Sequence, residues 1–191
     1  MNKNRISLIL FAAFLGFTMQ GCLSVETKEY SFRVKKDNSG SGVIKYINIF
    51  SDKKDSVSTP ENDYRELIDS YLNGEKIADE LPGIKNVKKK LYEEDNQLCG
   101  EITFDYDDIT KLRFYKYKET GPWCYYLGFT PMGLMGGTET YFSSNGAYGG
   151  EGMPVIFWDG DVKELKFKTT LTQPSANTTS LLDQWKQQGG K

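Results

Sequence analysis

Most of this chain is written in period two. From Glu29 to Lys36 the residues alternate, with Tyr30, Phe32 and Val34 on one face and Ser31, Arg33 and Lys35 on the other. That pattern is a half-buried strand. Turn residues recur between such stretches: Asp37 to Gly42, Asp95-Asn96, Thr120-Gly121-Pro122, Asn145-Gly146 and Asp159-Gly160. The spacing predicts strands over 43–50, 85–94, 97–107, 114–118, 123–129, 138–143, 155–158 and 162–171, most of them joined as hairpins. In the strand from Gln97, Leu98, Ile102, Phe104 and Tyr106 share a face, while Cys99, Glu101, Thr103 and Asp105 share the other.

One segment breaks the period. Thr59 is a helix cap, Pro60 suits the first turn, and Glu61 and Asp63 favour its positive end. Tyr64, Leu67, Ile68, Tyr71 and Leu72 then follow at helical spacing, and Asn73-Gly74 ends the run. A helix with one apolar face must cover a sheet. The expected fold is therefore α+β: a bent antiparallel sheet or partial barrel of about eight or more strands, with one main amphipathic helix packed on it. No repeat of fixed period is present.

The N-terminus reads as an address. Lys3 and Arg5 precede a short apolar run, Ile6 to Phe17, and the segment ends Met19-Gln20-Gly21-Cys22. The run is shorter than the roughly 20 residues that span a bilayer, and its layout is that of a secretory signal. The Gly21-Cys22 ending resembles the lipobox of bacterial lipoproteins, with Gln20 the unusual residue in it. The resemblance implies cleavage before Cys22 by the lipoprotein signal peptidase class and acylation of Cys22. Several acyl chains anchor stably where one is marginal. It also implies a place in the bacterial cell envelope, held to the membrane through the N-terminal lipid. Leu23-Ser24 after the cysteine resembles outer-membrane sorting in the enteric version of the class. The organisation expected is a signal over 1–21, a lipidated tether over 22–28 and a single α+β domain over 29–172. A polar linker with a short helix or frayed tail closes the chain over 173–191; Ser180 and Asp183 make a capping pair there, with Leu181, Leu182 and Trp185 as an apolar turn.

Two phrases carry a second resemblance. Tyr30 to Val43, directly after a lipoprotein cysteine, and Leu91 to Tyr106 are similar to the hairpins of an LppM-type lipoprotein domain, with a helix between them. The resemblance covers about half the chain, roughly residues 28–113. It implies a cell-envelope protein of a class associated with lipid or glycolipid binding, and it transfers no functional residue.

Composition excludes more than it assigns. The chain of 191 residues contains no histidine, so no His-based triad, imidazole base or His-ligated zinc is available. Loss of the signal takes Lys+Arg from 24 to 22 against 26 acids, a net charge of −4. No basic field invites nucleic acid. Nothing in the sequence calls for a cofactor or a metal. The acidic groups Asp105, Asp107 and Asp108, or Asp159 and Asp161, lack the twelve-residue calcium loop. Residues 146–152 are glycine-rich but lack the ending of a phosphate loop. Lys88-Lys89-Lys90 reads as a solvated strand or a contact for anionic headgroups. With Cys22 acylated, Cys99 and Cys124 remain, either as a disulfide or as two half-buried thiols.

The candidate surface lies in the aromatic, glycine-rich half. Trp123, Tyr125 and Tyr126 are adjacent on a strand and cannot all face one core. Together with Tyr141 and Tyr148 they either form a platform for sugars or lipid headgroups or pack both sides of a sheet. Met132, Leu134 and Met135 sit in an apolar loop that forms either an adaptable lip or a buried plug. The function expected is a non-enzymatic binding module for an envelope lipid or glycan. The alternatives are an assembly lipoprotein docking onto another envelope protein through the 130–137 loop or the tail, and a carboxylate hydrolase built on Glu139 and Glu151, which would need to lie about 5–9 Å apart.

Overall fold

The computed structural model describes residues 23–52, 59–128 and 139–190. Its chain forms two open antiparallel sheets around one shared core. The α+β class, with antiparallel strands and one main helix, is as expected; the strands divide between two sheets rather than one, and neither closes into a barrel. Eleven strands are present among the described residues.

The large sheet is built on a long hairpin of β1 (Leu23–Val34) and β2 (Gly40–Asp52). Its loop is fixed by Asp37, which accepts from the Ser39 amide and hydroxyl, and by Asn38 at φ 65°. Gly40 is needed where it stands. A Cβ there would lie 1.9 Å from the Arg33 carbonyl, to which the Tyr106 hydroxyl donates at 2.9 Å.

After residues 53–58 comes α1 (Pro60–Glu66), capped by Thr59, whose hydroxyl accepts from the Asn62 amide. Its last turns, Leu67–Leu72, widen into a π-helix, with the Asn73 amide donating to the Ile68 carbonyl. Tyr64, Leu67 and Tyr71 of the expected stripe are buried against the sheet, while Ile68 and Leu72 are half-buried. The Ser51 hydroxyl donates to buried Asp63 and ties α1 to β2. A short α2 (Lys76–Glu80) leads into β3 (Ile84–Glu94), which pairs with β4 (Gln97–Tyr106) across a turn with Asp95 and Asn96 both at positive φ. That geometry is the two-residue hairpin turn the sequence predicts. β3 is an edge, and its lysines protect it from further pairing. Lys90 pairs with Glu101 at 2.9 Å, and Lys89 donates to the Gly74 carbonyl.

A 3-10 turn, Ile109–Leu112, capped by Asp108, passes the chain to the small sheet. This sheet holds β5 (Phe114–Lys116) and β6 (Trp123–Tyr126). Past residues 129–138, β7 (Thr140–Ser144) returns to the large sheet beside the later β10. Then β8 (Ala147–Tyr148) and β9 (Val155–Trp158) complete the small sheet, and β10 (Glu164–Thr170) pairs with β1. The large sheet runs β3-β4-β2-β1-β10-β7, and the small one β5-β6-β9-β8.

Two expected hairpins are therefore crossings. Asn145-Gly146 joins β7 to β8, and Asp159-Gly160 joins β9 to β10, each in different sheets. Asn145 makes the first crossing rigid. Its Oδ1 accepts from Trp158 Nε1 at 2.7 Å and from the Lys166 amide at 2.8 Å, and its Nδ2 donates to the Glu164 carbonyl.

Both ends of the described chain are built into the fold. The stretch 22–28 is not a free tether from Leu23 onward, because β1 starts there, with Leu23 and Val25 buried. Of the two forms expected for the segment from 173, the short helix is present and the frayed tail is not. β11 (Thr178–Ser180) pairs with Phe50–Asp52 of β2, beyond Tyr46, where β4 pairing stops. α3 (Leu182–Gln187) then buries Leu182 and Trp185, beside buried Leu181. The unpaired end of β2 and the three apolar side chains give the tail a place to dock.

Candidate binding surface

Strand pairing in the small sheet sorts the aromatic residues onto two faces, since residues opposite each other on paired strands share a side. Phe114, Tyr125, Ile156 and Tyr148 align across one row of the inner face, and Lys116, Trp123 and Trp158 across the next. This face packs on the large sheet. Phe114 lies 4.9 Å from Phe32 between ring centres, and Tyr125 lies 4.7 Å from Phe167. Trp123 is buried, with the Lys116 ammonium 4.8 Å from its ring. Burial and the nearby Glu139 charge push the Tyr125 hydroxyl well above its ordinary range. Trp123 is thus buried in the core and Tyr125 half-buried against it, so both leave the expected platform.

The outer face carries Tyr115, Cys124, Phe157 and Ala147 in one row, and Tyr126 with Val155 in the next. Tyr115 is 59% exposed and Tyr126 42%. Tyr117, just past β5, is exposed as well, and so is Met153 before β9. Gly128 makes room for the Tyr126 ring, because a Cβ there would lie 2.3 Å from the phenol oxygen. The result is an apolar, aromatic sheet face open to solvent. Tyr126 is the expected site residue that stands on it. Tyr141 and Tyr148 stack on each other at 3.9 Å, half-buried between the sheets. Tyr115 is the residue the expected set missed; its signal was the period-two partner position to inward Phe114.

Met132, Leu134 and Met135 lie outside the described residues, as do Cys22 and residues 1–21, where the signal was expected. Cys99 and Cys124 are free thiols, which corrects the disulfide alternative. Cys99 is buried in β4 of the large sheet, whereas Cys124 faces outward from the small one. Burial raises the pKa of both, which disfavours the reactive thiolate.

The two carboxylates of the hydrolase reading have different fates. Glu139 is drawn into the core beside the β7 start. It accepts from Lys28 Nζ at 3.1 Å, from the Tyr30 hydroxyl at 2.8 and 3.0 Å, and from the Thr169 hydroxyl at 2.8 Å. Glu151 is exposed in the β8–β9 turn. A cavity of about 30 Å³ adjoins Glu139, lined also by Glu80, Arg113 and Tyr125. That is room for about one water molecule. Desolvation raises the Glu80 pKa, against the pull of Lys76 and Lys28. Asp105, Asp107 and Asp108 serve local structure: they accept from Asn86, pair with Lys85 and cap the 3-10 turn. No cluster of three or more metal-ligating side chains occurs among the described residues.

No family model matches the chain, and neither the curated proteins nor the solved structures yield a match.

Proposed function

We propose that this chain is a lipid-anchored protein of the bacterial cell envelope that binds a sugar-bearing envelope ligand, a glycan or glycolipid headgroup, on the outer face of the small sheet. The observation that carries the reading is the exposure of Tyr115 and Tyr126 on the outer face of a sheet whose other face is packed against the core. Tyrosines supply wide apolar area at low entropic cost and keep a hydroxyl for hydrogen bonding, which suits the faces and rims of sugar rings. Contiguous exposed apolar faces mark interaction or ligand-binding sites. Binding rather than hydrolysis is favoured because the oxygens of Glu139 are taken up by Lys28, Tyr30 and Thr169.

The test is co-sedimentation of the mature chain with purified peptidoglycan and with lipopolysaccharide aggregates. Wild type is expected to sediment with at least one of them. The Tyr115→Ala/Tyr126→Ala pair is expected to weaken binding by about tenfold, at roughly 0.5–1.5 kcal/mol for each aromatic ring removed. Retention by neither material, or equal binding by the double variant, overturns the reading. Capture of one stoichiometric protein partner through the same tyrosines would transfer the face to assembly.

A further inference from the structure

The distance between the anchor residue and the folded core sets the pose of the whole molecule. Cys22 is followed at once by Leu23, which is already paired with Ser51 and buried. One peptide unit is about 3.8 Å, so an acylated Cys22 has no stalk. The headgroup layer is about 5–7 Å deep on each side of the hydrocarbon. Acyl chains on Cys22 therefore bring the Leu23 end of the large sheet into that layer.

The tail rim beside the anchor is uncharged, while β2 leaves the same end through Asp52 and continues in the sequence as Lys53-Lys54-Asp55. Beside Leu23 run Thr172, whose amide approaches the Val25 carbonyl, and Thr178, which pairs with Asp52. Between them Gln173 to Asn177 form an exposed rim, and no charged residue occurs from Thr169 to Leu182. The opposite end of β1 is dense in ionic groups: Arg33, Lys36, Asp37, Asp159, Asp161 and Lys163. The Val34 amide donates to the Lys163 carbonyl there, so the β9–β10 turn stands level with the far end of the strand. Eleven steps of about 3.3 Å separate Leu23 from Val34, roughly 36 Å.

We infer that the domain is mounted end-on and flush on the bilayer, with the Gln173–Asn177 rim against the lipid headgroups and the β9–β10 turn pointing into water. This rests on the anchoring half of the proposed function. It deepens that reading, because the small sheet packs on Phe32 and Phe167, in the half of the strand away from the anchor. Its aromatic face then meets ligands on the aqueous side rather than headgroups of its own leaflet.

The experiment uses the full, processed chain in phosphatidylethanolamine/phosphatidylglycerol vesicles carrying a headgroup-attached nitroxide. A fluorophore is placed at Ser175→Cys or at Asp161→Cys, both in a Cys124→Ser background, with Cys99 buried. Quenching at position 175 is expected to exceed that at 161 at least threefold. A flexible insert of about twelve Gly/Ser residues between Cys22 and Leu23, reaching about 20 Å, should bring the two positions level. An acylated chain with equal quenching at both sites, or a difference that survives the insert, overturns the inference alone. An unacylated Cys22 in the mass spectrum overturns the anchor and the inference together.

Discussion

Lys28 and Glu139 carry opposite charges into a core of aromatic and aliphatic side chains, with side-chain exposures of 1% and 8%. Such a pair adds little net stability over an apolar one, but removing one partner strands the other in a low-dielectric site. Lys28→Met is expected to cost about 3–5 kcal/mol in urea unfolding, and adding Glu139→Leu to restore part of it. A Lys28→Met variant as stable as wild type would mean the pair is solvated. Lys28 was legible in one respect: it shares the strand face of Tyr30 and Phe32, so the alternation alone places it inward. Its partner was not, because Glu139 is 111 positions away and only the β1–β10–β7 pairing brings them together. Glu80 gives a pH signature at the same scale. Its folded pKa is raised above 4.5, first by desolvation. Between the unfolded and folded values the folded state holds more protons, so stability falls as pH rises through that window. Tyr71, Lys76, Lys28 and Glu66 set the local field. Glu80→Gln is therefore expected to be more stable than wild type at pH 7 and to flatten the pH dependence of unfolding upward from about 4.5. A variant that is less stable at pH 7 would show that the carboxylate is net stabilising.

At the scale of elements, local grammar and tertiary pairing part company. The Asp95-Asn96 turn closes a hairpin, as its residues demand. Asn145-Gly146 and Asp159-Gly160 use the same chemistry, yet neither joins paired neighbours. A turn signal reports a change of chain direction. It does not say which strand edge is open to receive the next segment. β9 is already flanked by β6 and β8, so β10 must go elsewhere, and the edge of β1 accepts it. The tail shows the reverse case. Ser180 to Lys186 alone is too short for a stable helix, but β11 and α3 complete an unpaired edge and bury Trp185 to 8% exposure. Trp185→Ala is thus expected to cost about 3–5 kcal/mol in denaturant unfolding, the range for a buried large aromatic. A change near zero would mean that the tail is undocked in solution.

Across the whole molecule, one aromatic cluster holds the two sheets together. Phe167 on the large sheet lies 4.3 Å from Tyr30, 4.7 Å from Tyr125 and 6.1 Å from Trp158 between ring centres, so it touches both layers. The candidate surface depends on this arrangement. The sequence shows aromatics on both sides of 123–126 but cannot say which side turns inward, since both are apolar enough to bury. The decision comes from the partner: the inward face is the one whose rings meet Phe32 and Phe167, and Tyr115 and Tyr126 are left outside by parity. It follows that the small sheet has no stability of its own. Its β8 is two residues long and its inner face is completed by the large sheet. Wild type should then unfold in a single transition by both near-ultraviolet and far-ultraviolet circular dichroism. Phe167→Ala should lower both signals' midpoints together, at a cost of about 3–5 kcal/mol. Two separated transitions, with the aromatic signal lost first and the far-ultraviolet signal kept, would mean that the aromatic half folds as a separate unit. The outward placement of Tyr115 and Tyr126 would then no longer follow from the core that the large sheet provides.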